Sequence, residues 1–153
     1  MIKKNFYENM LGKVKNIFVK TKELHKKIKL EILGISYTKS GDETLYVVVL
    51  GEEEGTRKIP VIINYFEAQA IAIEVEKILP IVPLVYDVFK EVIDDNKIKF
   101  EEILIEDFKN DILVTYLIGK REKIEVRTAD ALSISVRMGY PIFIHDKLLI
   151  FKH

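Results

Sequence analysis

Within IEVRTADALSISVRMG, residues 124–139, the side chains of Arg127, Asp130, Ser133 and Arg137 follow at intervals of three, three and four. On a helix that spacing aligns them in one narrow strip. Guanidinium groups grip phosphate oxygens through paired N–H donors, and a carboxylate holds a hard cation or polarises a water. The strip therefore has the means to bind a phosphate ester and act on it. A purely structural use is equally open: Asp130 satisfies nearby backbone, and Arg137 meets a carboxylate from another part of the chain, with Glu76 its internal counterpart. Spacing does not choose between the two.

The elements around the strip constrain it. Ala129, Leu132 and Val136 make one apolar flank and Ala131, Ile134 and Met138 another, so the spacing predicts a helix sandwiched between neighbours. Upstream the chain repeats itself. KIKLEILGISY (27–37) is echoed by KIKFEEILIED (97–107), both alternating as half-buried strands do, and LYVVVLG (45–51) by LVTYLIG (113–119), each following a turn, KSGDE in the first copy and KND in the second. A third strand, KIPVII or KIEVR, leads into a helix, FEAQAIAIEVEKI or TADALSISVRMG. Aligned at an offset of 61, the helices set Gln69 on Asp130 and Ala72 on Ser133, and the first strip reads Gln69, Ala72, Glu76. The expected fold is α+β, with two β-β-β-α repeats about a pseudo-twofold axis.

Between the repeats, Pro83 opens a predicted helix whose Leu84, Val88, Phe89 and Val92 recur at helical spacing. Asp87 falls in its first turn, where the N-terminal partial charge favours a carboxylate. Ahead of the repeats, residues 1–29 carry nine lysines against Glu8 and Glu23, about +7 in a chain whose formal net charge is zero. Met10, Leu11, Val14, Ile17, Phe18 and Leu24 recur at helical spacing there. Residues 1–27 are thus expected to form a basic amphipathic extension, either docked by its apolar face or drawn to nucleic-acid phosphates or, less readily, to an anionic membrane surface, ahead of a domain over 28–153.

Composition removes several classes of function. With no cysteine among 153 residues, disulfide scaffolds, thiolate metal sites and cysteine nucleophiles are excluded. His25, His145 and His153 are too scattered to suggest a metal cluster. No apolar run approaches the roughly 20 residues of a membrane span, and MIKKNFYENM lacks a signal-peptide core, so the expected location is cytoplasmic.

VIINYFEAQAIAIEVE, PLVYDVF and VRTADALSISVRMGYPIFI, in this order and spacing, resemble the bifunctional nuclease domain family over about residues 28–150. Glu67 and Ala68 match its first motif, Pro83, Leu84 and Asp87 its second, and Arg127, Asp130, Ala131 and Arg137 its third. Asn64 stands at a family glycine, a tolerable exchange if that position needs positive φ, since asparagine enters the left-handed region more readily than most residues. Val82 replaces an arginine, Val85 a threonine, Tyr86 a histidine and Ala129 a serine. The resemblance implies hydrolysis of DNA and RNA phosphodiester bonds with little sequence preference. It implies Glu67, Asp87 and Asp130 as catalytic residues, which would also hold a divalent cation such as magnesium, and Arg127, Ser133 and Arg137 as substrate-binding residues. Tyrosine at position 86 is a poor base at neutral pH. The alternative is a non-catalytic nucleic-acid-binding module that keeps the fold, or an oligomeric assembly module whose subunits cover the sheet edges.

Overall fold

The computed structural model describes residues 26–149. Much of the basic extension expected over 1–27, including its apolar face, lies outside the described residues. Seven strands and three α-helices follow in the order β1 (Lys27–Ser40), β2 (Glu43–Glu52), β3 (Lys58–Ile63), α1 (Tyr65–Val75), α2 (Val85–Asp95), β4 (Phe100–Lys109), β5 (Ile112–Gly119), β6 (Lys123–Val126), α3 (Thr128–Met138) and β7 (Ile142–His145). A 3-10 turn over Asp146–Leu149 closes the described chain. The fold class is α+β, as the sequence predicts.

All seven strands share one sheet in the order β3-β2-β1-β7-β4-β5-β6. The turns explain the two meanders within it. Gly41 (φ 65°) supplies the positive φ of the β1–β2 turn, and Asn110 and Asp111 (φ 51° and 62°) both take it in the β4–β5 turn, as a tight hairpin requires. Each meander is antiparallel throughout. Between them lies β7, antiparallel to β1 and parallel to β4.

That central strand is absent from the six-strand expectation. It has four residues, IFIH, too few for an alternation to stand out, and it becomes a strand because both neighbours present backbone groups to it. Its register sets Ile142 beside Leu30 and Ile103, and Ile144 beside Ile28 and Ile105. These side chains join Val48, Leu50 and Leu117 on the face toward the helices.

On that face α3 lies at the centre, packed against α1, α2 and strands from both meanders. Seven of its residues are buried, including Ser133, Ser135 and Arg137. Edge strand β3 (Pro60–Ile62), the β4–β5 hairpin and the start of α3 line a common groove, so the sheet curls around α3. A register shift between Ile32 and Gly34 in β1, and two more in β4, supply the bulges that bend such strands.

The caps also bear on two readings of the sequence. Asn64 caps α1 at φ −88°, so its match to the family glycine is not a demand for positive φ; its side chain instead accepts from the Glu67 N–H. The caps Asn64 and Arg127 are 63 positions apart, which aligns Glu67 rather than Gln69 with Asp130. Shorter strands β5 and β6 and the shorter loop between them account for the drift. At the far end of α3, Gly139 ends the helix at φ 73°, donating its N–H to Ser135. Replacing it with alanine should lower stability by about 1–2 kcal/mol in urea unfolding, because a Cβ resists that backbone conformation.

Candidate active site

The three candidate carboxylates occupy equivalent places. Counting from the caps Asn64, Leu84 and Arg127, each is the third residue of its helix: Glu67 in α1, Asp87 in α2 and Asp130 in α3. At that position a carboxylate can reach back to the cap N–H and meets the positive end of the helix dipole.

Two of the three do so. The Oε2 of Glu67 accepts from the Asn64 N–H at 2.8 Å, and its Oε1 accepts from Arg127 at 2.6 Å. The Oδ2 of Asp87 accepts from the Leu84 N–H at 2.8 Å, and its Oδ1 from Arg137 Nε at 2.9 Å. Both oxygens of each are thereby committed. Asp130 makes no such capping bond. Its Oδ1 accepts from the Tyr86 hydroxyl at 2.6 Å, and its Oδ2 lies 3.9 Å from the Arg127 guanidinium.

Glu67, Arg127, Asp130 and Tyr86 thus form one chain of contacts. They line a cleft of ≈ 400 Å³ together with Asn64, Gln69 and Leu84. Arg127 is the open member, with 70% of its side chain exposed. A larger groove of ≈ 540 Å³ between β1 and α1 is lined mainly by apolar and tyrosine side chains and contains none of these charged groups. Of the two, the smaller cleft holds the candidate residues Glu67, Arg127 and Asp130.

The strip therefore divides. Asp130 reaches the cleft, whereas Ser133 and Arg137 are buried. Ser133 donates its hydroxyl to the Ala129 carbonyl. Arg137 donates to Asp87 and to the carbonyls of Ser133 and Ala70, with its guanidinium 5.2 Å from the centre of the Tyr86 ring. These bonds tie α3 to α1 and α2. The carboxylate that meets Arg137 is Asp87 of α2, and not Glu76.

Nor do the three carboxylates gather around one point. Glu67 and Asp130 share Arg127, Asp87 faces Arg137, and among the described residues no group of three His, Cys, Asp or Glu side chains is placed to hold a metal ion. As arranged, this donor set does not fit the expected cation. Helix capping and two arginines use the lone pairs that a metal would need.

Spacing gave no warning of Tyr86, which the sequence marked only as a departure from the family. Burial first, and the hydrogen bond to Asp130 second, push its phenol up to about 12. Tyr86 consequently holds its proton across the neutral range and acts as a donor. Because the folded value lies above the ordinary 10, the stability linked to this proton is complete below pH 10 and is lost as pH rises through about 12. In phenolate absorbance the tyrosine titrating near pH 12 should be absent in Tyr86→Phe, whereas Tyr140, which burial also raises, should still titrate late. A Tyr86 that titrates near 10 would mean that its bond to Asp130 does not persist in solution.

The domain is α+β, and its cleft brings a carboxylate and an exposed guanidinium from the start of α3 together with a protonated phenol from the start of α2. The chain belongs to the bifunctional nuclease domain family, whose profile matches residues 48–152. It is also 32% identical over 104 residues to two uncharacterized proteins of Mycobacterium tuberculosis, MT1877 of strain CDC 1551 / Oshkosh and Rv1829 of strain H37Rv. Each match covers 67% of this chain and 63% of the relative. None of the described helices is long and apolar enough to cross a membrane.

Proposed function

We propose that the cleft hydrolyses phosphodiester bonds of DNA and RNA. The observation that carries this is the state of Asp130: of the three family carboxylates it alone is not engaged in capping, and it stands between Arg127 and Tyr86 in a chain of a nuclease family. Arg127 binds non-bridging oxygens of the phosphate, its guanidinium having five N–H donors of which one serves Glu67. Asp130 accepts a proton from the attacking water, whose oxygen bonds to phosphorus as the bond to the leaving oxygen breaks. Tyr86 protonates that leaving oxygen and regains its proton from Asp130 along their hydrogen bond. No step uses a metal, and a cation requirement is read directly by cleavage with and without chelator.

The test is cleavage of single- and double-stranded DNA and RNA by the full chain and by Arg127→Ala. The wild type should cut and the variant should bind and cut at least about tenfold less, since a charged contact is worth roughly 1.5–3 kcal/mol. Equal cleavage by both would remove Arg127 from the site. A second reading, binding without cleavage, draws on Tyr86 itself, because a phenol that keeps its proton to about 12 cannot replace a histidine base. It predicts nucleic-acid binding with no product. Tyr86→Phe discriminates further: as the acid it should matter by about 10²-fold in kcat, with little change in KM.

The same reading treats the two meander-and-helix halves as copies of one unit. Residues 28–76 should then superpose on 98–137 with the cap Asn64 on Arg127; helices that diverge when the strands are superposed would end the duplication argument.

A further inference from the structure

Helix α2 presents two apolar faces. Tyr86, Phe89 and Ile93 turn toward the core, whereas Val88 and Val92, expected there from their spacing, are exposed with Val85 in a second stripe. The loop before the helix extends this surface through Leu79, Ile81 and Val82, each at least 71% exposed. Six exposed apolar side chains within one short segment differ from the scattered single ones of an ordinary surface and mark a candidate interaction patch.

Charge indicates what covers it. On the helical wheel, Glu91 and Asp95 border the stripe, and residues 74–95 hold six acidic against two basic side chains. Two copies packed through this patch would bring like charges together, which disfavours self-association. Residues 1–25 have the complementary character, with six lysines and two glutamates around Met10, Leu11, Val14, Ile17 and Phe18. Residues 26–149, by contrast, hold 17 Lys or Arg and 22 Asp or Glu. Lengths would agree as well: were positions 10–18 helical, as their spacing predicts, they would span about 12 Å at ~1.5 Å per residue, close to the roughly 10 Å of positions 85–92.

Reach is not limiting. The described chain begins at Lys26, whose carbonyl accepts from the Asp146 N–H. Twenty-five residues span about 37 Å even if wholly helical, and a domain of this size has a radius of gyration of only about 14 Å.

We propose that residues 1–25 pack the apolar face of Met10 to Phe18 against the stripe of Val85, Val88 and Val92, with their lysines beside Glu91 and Asp95. This interaction covers the patch next to the cleft, which Val85 and Tyr86 also line. It is independent of whether the cleft cleaves nucleic acid.

Because the chain contains no cysteine, introduced pairs report contact without competition. Val14→Cys and Ile17→Cys would each be combined, in the full chain, with Val85→Cys, Val88→Cys or Val92→Cys, and with Val75→Cys on the apolar groove beyond α1 as a control. Mild oxidation should convert at least one α2 pair largely to an intrachain disulfide, seen as faster non-reducing migration and independent of protein concentration. Deleting residues 1–25 should in addition raise hydrophobic-dye binding severalfold, and Val88→Asp should reverse that rise. The proposal is overturned if no α2 pair closes, if only the Val75 pairs close, or if Val88→Cys alone gives interchain dimers in high yield. The last result would assign the patch to a second copy.

Discussion

Asp130→Asn is expected to lower phosphodiester cleavage by about 10²–10⁴-fold, the range of a lost general base. The amide keeps the shape and can still accept from the Tyr86 hydroxyl, so the 2.6 Å contact survives in weaker form. What is lost is the ability to take a proton and the charge opposite Arg127 at 3.9 Å. Stability should change by less than about 1 kcal/mol, because the Asp130 side chain is partly exposed and its Arg127 contact is long. The measurement pairs single-turnover cleavage with a urea unfolding curve of the same preparation. Glu67→Gln gives the internal contrast: it loosens the α1 cap and the anchor of Arg127, so stability should fall by about 1 kcal/mol or more as activity declines. If Asp130→Asn cleaves as the wild type does, Asp130 is not the base and the mechanism assigned to the cleft fails.

Arg137→Ala should destabilise the domain by about 3 kcal/mol, at the lower end for breaking a buried ion pair because Asp87 retains some solvent contact. Only 2% of the arginine side chain is exposed. Its removal would leave a void between three helices and unpair the carbonyl of Ala70. Roughly 10 °C would be lost from Tm. Arg137→Met, which fills the volume without the charge, should recover part of the loss, and Arg137→Lys part of the bonding but not its forked geometry. Had this arginine contacted substrate, as the family resemblance implied, the alanine variant would show a large loss of cleavage with a nearly unchanged unfolding curve. That outcome would reverse the present assignment.

The sequence by itself determined the pieces that depend on neighbours a few residues away. Alternating apolar residues over 27–37 and 97–107, the turn residues between strands, and the helical spacing after Arg127 each follow from backbone geometry and local side-chain period, and all appear in the structure. The three motifs that identify the family are likewise local. Tertiary structure decided what those pieces meet. Short β7 is a strand because β1 and β4 flank it, and α2 turns Ile93 inward because α3 occupies that side. The site was divided in the same way. Glu67, Asp87 and Asp130 are the same kind of residue at the same place in three helices, and no spacing rule separates them. Only the folded chain brings Arg137 onto Asp87 and Arg127 onto Glu67, leaving Asp130 with Tyr86 from a segment 44 positions away. A carboxylate's chemistry depends on which donors fill its lone pairs, and those donors arrive from distant parts of the chain only when the helices pack.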